Sequence, residues 1–225
     1  MSWVRQALRI LVKDLQIEWR GRARGVALFA FAGLMILLFS FAIGPDTKTL
    51  QQHAGGYVWL AMLMASTLLL NQSFQTEIES GALEGMRLLP VDPRALFYGK
   101  ALANLVVLLA ISTLVLPLSA WFMDIGVTGA WWQLAAVILL GCAGIAGPGT
   151  LYSALAARSG AQQLMLPVLL FPLLVPALLA AVKALGFVLL GDPMGQIAGW
   201  LALLGCFDAV FWALGGVFFG YLVEQ

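Results

Sequence analysis

Six apolar segments, each long enough to cross a bilayer as a helix, fill most of this 225-residue chain. They run near 25–43, 54–74, 95–123, 131–157, 164–190 and 197–221. A bilayer core takes about 20 apolar residues in a helix. The third, fourth and fifth segments exceed that, so tilt, kinks or protruding ends are expected there. The residues are 62% hydrophobic and 10% charged, whereas a soluble domain carries about 25% charged residues. No soluble core of this length hides so much apolar surface, so lipid must be the solvent. The expected fold is an all-α polytopic membrane protein with six transmembrane helices. Glycine, proline and aspartate punctuate the spans at Gly44-Pro45-Asp46, from Asp124 to Gly129, and at Gly191-Asp192-Pro193.

Charge asymmetry sets the expected topology. Arg5, Arg9, Lys13, Arg20, Arg22 and Arg24 precede the first span, Arg87, Arg94 and Lys100 follow the second, and Arg158 follows the fourth. Only Lys48 and Lys183 fall to the other side. The positive-inside bias then puts both termini in the cytoplasm. The net charge of +1 argues against a nucleic-acid binder. The basic stretch before the first span is too long for the n-region of a signal peptide, and that span is expected to stay as an anchor. Cys142 and Cys206 both lie in apolar spans and form no metal-ligand cluster.

The chain divides into residues 1–24 and a six-span unit over 25–225, with a polar loop at about 75–94. In the first part Val4, Leu8, Leu11 and Leu15 recur at helical spacing, beside a strip of Arg5, Arg9 and Lys13. Trp3 and Trp19 suit the headgroup region. This pattern predicts an interfacial amphipathic helix; a cytoplasmic helix packed on a partner is the alternative. In the loop, Glu77 and Glu84 are seven residues apart and share a helix face. Asp92 can cap the next helix, with Pro93 in its first turn. Such a helix can key into a groove on a soluble partner, or it can be a solvated extension of the span.

The loop sequence E-x-E-x-G-A-L-E from Glu77 to Glu84, then Leu88-Leu89-Pro90-Val91-Asp92 and Gly99-Lys100, resembles the loop after the second span of ABC-2-type exporter permeases. Lys13-Asp14-Leu15, the proline-rich fifth span from Leu166-Pro167 to Pro176-Ala177, and Phe207-Asp208 are similar to the CcmB family of the cytochrome c maturation system. The resemblance implies a permease subunit that couples ATP hydrolysis by a partner to haem export, or to release of a haem-loaded chaperone. Its implied partners are the ATP-binding subunit CcmA, CcmC, CcmD, the haem chaperone CcmE and a second copy of itself. ATP would sit on the partner, and haem would be a substrate of the complex. The loop would carry a coupling helix, and Glu77, Glu79, Gly81, Glu84, Arg87, Pro90 and Lys100 are the ATPase-coupling residues that the resemblance implies. Glu77 and Glu84 would meet basic groups on the ATPase, Gly81 would permit close approach, and Pro90 would end the helix.

Inside the membrane, Asp208 lies near the middle of the sixth span. A lone carboxylate there costs roughly 2.5–3.5 kcal/mol on insertion scales, so it is expected to face the bundle interior, in a substrate or conformational path or as a structural contact. Lys183 is a candidate partner, or it snorkels to the interface. Pro148 among the glycines of span 4, and Pro167, Pro172 and Pro176 in span 5, mark a candidate hinge or close helix packing. His53 is the only histidine, too little for a haem-ligand argument. Trp59, Trp121, Trp131, Trp132 and Trp200 read as an aromatic belt. No Gly-x-x-x-x-Gly-Lys-Ser/Thr loop occurs in the sequence, and no paired carboxylates or nucleophile–base set suggest an enzyme. A generic exporter of a lipid, drug or glycan and a non-transporting scaffold are the competing functions.

Overall fold

The computed structural model describes residues 3–79, 92–126, 128–158 and 162–224. These residues form seven helices: α1 (Trp3–Arg20), α2 (Arg22–Ile43), α3 (Thr47–Glu79), α4 (Pro93–Met123), α5 (Trp131–Arg158), α6 (Gln162–Leu190) and α7 (Ile197–Glu224). Among the described residues there is no strand. The helices α2 to α7 each contain a segment long and apolar enough to span a membrane. The chain is an all-α polytopic membrane protein, as its hydropathy predicts.

The helix ends follow from short-range chemistry. Asp46 accepts from the backbone N–H of Thr49 at 3.3 Å and from its hydroxyl at 2.6 Å. That cap starts α3 at Thr47, well before the apolar run near 54. Asp92 caps α4 by accepting from Arg94 N at 2.9 Å, with Pro93 as the first helical residue, as expected. Asp192 accepts from Gln196 N at 2.9 Å and Ile197 N at 2.8 Å and so opens α7.

In lipid, apolar side chains gain nothing by leaving their surroundings, so helices associate through close packing and small residues. The helix α5 supplies the clearest case. A Cβ at Gly141 would strike the Trp59 ring of α3, and one at Gly147 would stand 2.7 Å from Trp212 Nε1 of α7. Gly149 receives Leu70 of α3 in the same way. The Trp212 indole donates to the Ala143 carbonyl at 3.1 Å. Trp59 is therefore buried at 1% exposure between α3 and α5 and takes no part in an aromatic belt. Trp121, Trp131 and Trp132 are exposed, as a belt requires.

The helices α3 and α5 are the most enclosed, and α2 and α7 lie at the periphery. Pro148, Pro167, Pro172 and Pro176 all lie within helices that continue through them. Hydroxyls within the spans bond to the carbonyl one turn back, as Ser66, Ser112, Ser119 and Ser153 do at 2.7–3.0 Å. Such back-bonding removes the cost of placing them in hydrocarbon. A second, smaller core of Leu96, Phe97, Ala101 and Phe219 joins the first turns of α4 to the end of α7, with Ile10 of α1 packed against it.

Candidate functional site: the base of the polar loop and the intramembrane acid

Of the expected coupling residues, Gly81, Glu84, Arg87 and Pro90 lie outside the described residues. The backbone of Glu77 and Glu79 belongs to the last turns of α3. Lys100 lies on α4, two turns beyond the Asp92 cap. It is 2% exposed, deep between α1, α3 and α4. Its ammonium lies 3.3 Å from Asp14 Oδ2 of α1 and donates to the Ser73 carbonyl of α3 at 2.9 Å. The resemblance counts Lys100 among the coupling residues; the structure buries it between α1, α3 and α4.

The polar chain continues inward. The Asn104 amide donates to Thr150 Oγ1 of α5 at 2.9 Å and reaches Ser73 Oγ at 3.4 Å. Thr150 in turn donates to the Ala146 carbonyl at 2.7 Å. On the outer side, Lys13 Nζ lies 3.0 Å from Asp14 Oδ1. One carboxylate thus takes two ammonium groups, one exposed and one buried. A crevice of about 60 Å³ opens here, lined by Asp14, Glu18, Gln72, Ser73, Lys100 and Asn104. That volume has room for a few water molecules. Ser73, Asn104 and Thr150 are members of the site that sequence reasoning misses. The available signal is spacing: Lys100 and Asn104 are four residues apart in an apolar helix and so share one face.

The helix α1 also differs in part from its expected form. Val4, Leu8 and Val12 are exposed, as an interfacial face should be. Its opposite strip packs on α4. A Cβ at Gly99 would stand 2.8 Å from Ile10 Cβ and 2.9 Å from the Ala7 carbonyl, so glycine alone allows this approach. Gln6 Oε1 accepts from Asp92 N at 3.2 Å. Trp3 leans on Tyr98 with ring centroids 5.7 Å apart.

Asp208 is enclosed at the α5–α6–α7 contact, next to Gly144, with Ala177 and Phe207 nearby. Neither carboxyl oxygen has a hydrogen-bond partner among the described residues. Lys183 is exposed on α6, and nothing links it to Asp208 among the described residues. His53 is exposed, its Nδ1 3.0 Å from the Thr49 carbonyl. At the span ends, the hydrogen bonds from Thr49 hold the Asp46 carboxyl below its usual range. The Ile197 N–H does the same for Asp192.

A family model described as CcmB protein matches residues 5–223. The heme exporter protein B of Haemophilus influenzae is 32% identical over 200 residues, covering 88% of both chains. That of Rhodobacter capsulatus is 32% identical over 171 residues, 76% of this chain and 78% of its own. The protein of the same name in Escherichia coli K12 is 31% identical over 201 residues, again 88% of each.

Proposed function

The chain belongs to the CcmB family, and from that premise we propose that it is the transmembrane subunit of an ABC transporter acting in cytochrome c biogenesis. It couples ATP hydrolysis by a separate subunit of the CcmA kind to haem export or to release of a haem-loaded chaperone of the CcmE kind. CcmC and CcmD are its neighbours, and a second copy of the chain completes the membrane part. Both termini and the segment 80–91 face the cytoplasm of a bacterial inner membrane, where the basic residues concentrate.

The observation that carries the reading is a polar loop whose two flanking helices are bonded to each other at its base, through Lys100 and Ser73. A partner pressing on such a loop moves both helices together. ATP binding closes the partner dimer and displaces the loop. The spans then shift about the proline-bearing stretches of α5 and α6, and haem handling at the far surface changes.

Affinity purification of the tagged protein from its native membrane, followed by mass spectrometry, tests this. Recovery of an ATP-binding subunit together with haem-handling proteins is the expected result. An ATPase without them points to a generic exporter, and no ATPase at all removes the coupling role.

A further inference from the structure

The segment 80–91 is flanked by two stalks, the end of α3 and the start of α4; α4 is tied directly to a third element, α1, and α3 is joined to it through Lys100. Lys100 of α4 bonds simultaneously to Asp14 of α1 and to the Ser73 carbonyl of α3. Gln6 of α1 accepts from the backbone of Asp92, the first described residue after the loop. Between these points Gly99 lets the α1 backbone rest directly on α4. By contrast, α1 packs little on α2, its neighbour in sequence. Gly21 separates the two with a non-helical backbone, φ −78° and ψ 50°. The other face of α1 presents Val4, Leu8 and Val12, with Arg5 and Arg9 beside them.

We infer that α1 and the two stalks of the loop form one mechanical unit, latched by the Asp14–Lys100 pair, so that a displacement of the loop is carried by α1 along the membrane surface. This rests on the coupling function proposed above. The apolar and backbone contacts of Ala7 and Ile10 would permit α1 to slip by a helical turn along α4. The Asp14–Lys100 pair favours the observed register, since a slip parts Asp14 from a lysine that is 2% exposed and also holds the Ser73 carbonyl. Gly21 frees α1 from α2, so the unit swings without dragging the first span. Asp14 and Lys100 are thus positioning residues that act through α1 and touch no substrate.

The test uses the whole complex in its native membrane, in a strain whose cytochrome c assembly depends on this protein. Wild-type protein must first bring down an ATP-binding subunit; failure here removes the coupling function itself and is distinct from failure of the latch. Asp14→Asn and Lys100→Met are then compared with wild type. The latch predicts that the ATPase stays bound and still hydrolyses ATP, while cytochrome c yield falls about tenfold, within the usual span of coupling between sites. Undiminished yield, or loss of the ATPase from the complex, overturns the inference.

A second measurement covers variants that fail to fold. In a background lacking Cys142 and Cys206, Gln6→Cys and Asp92→Cys are joined by a short reductant-cleavable thiol cross-linker. Elements that move as one tolerate the link, so yield should be unchanged. A yield that drops on cross-linking and returns on reduction shows that α1 must slide against α4, and the latch is wrong.

Discussion

Asp208 Oδ1 lies 3.1 Å from the point a Cβ on Gly144 would occupy, so the acid of α7 rests on the bare backbone of α5. The carboxyl sits in a tight contact that supplies it with no hydrogen bond among the described residues. An unsatisfied buried polar group costs about 1–3 kcal/mol. Asp208→Leu is close in size and should raise the thermal stability of the purified protein by that order. If the acid serves in a substrate or conformational path, cytochrome c yield falls all the same, since working sites commonly cost stability. Scanning fluorimetry and haem staining of membranes read the two effects. Normal yield in Asp208→Leu would remove any working role for the acid.

The glycine face of α5 makes a second prediction. Gly141→Ala drives a methyl into the Trp59 ring, and overpacking of this kind costs about 1–3 kcal/mol. Gly186→Ala on α6 meets nothing within 4 Å and should be neutral or gain up to about 1 kcal/mol from helix propensity. Equal thermal unfolding of the two variants would mean that the Trp59 notch does not set the α3–α5 contact.

The aspartates at the span ends predict an acid dependence. Asp46 is held below its usual range chiefly by the Thr49 hydroxyl, and Asp192 chiefly by the Ile197 N–H. A lowered carboxylate contributes stability that is full above the unfolded value of about 3.9 and is lost as pH falls through the lower folded value. Unfolding temperatures taken below about pH 4 should fall for wild type. For Asp192→Ala they should start lower at neutral pH and lose less on acidification. An identical acid slope in both proteins would exclude the cap as its source.

The loop predicts a charge effect of opposite kind. Glu77→Lys and Glu84→Lys should each weaken retention of the ATP-binding subunit during purification, while insertion into the membrane is unchanged. Rim charges mainly alter association rate and salt dependence, so the loss should be largest at low salt and shrink as added salt screens the charges. Full retention of the ATPase by both variants would take these acids out of the docking surface.

Much of the fold is legible in the sequence. The six spans follow from apolar run length alone, because a helix in lipid must satisfy its backbone internally whatever its neighbours are. Asp92 and Pro93 read as a helix start because capping is a local interaction. The early start of α3 is written in Asp46 and Thr49, yet the polar residues that follow mask it in a hydropathy reading. The belt reading fails at Trp59 because amphipathic tryptophans suit both an interface and a notch. Only the glycine facing it on another helix decides between the two.

Lys100 shows where the division falls. The family resemblance counts it among the coupling residues, and a lysine gives no local sign of burial. What the sequence by itself determined is everything set by short-range chemistry and by lipid as solvent: the number of spans, their ends and the caps. The tertiary structure alone decided that Asp14, Ser73 and Lys100 meet, and that Asp208 meets Gly144. These groups are far apart in the chain, and the energy of a buried charge depends on which partner the packing brings within about 3 Å.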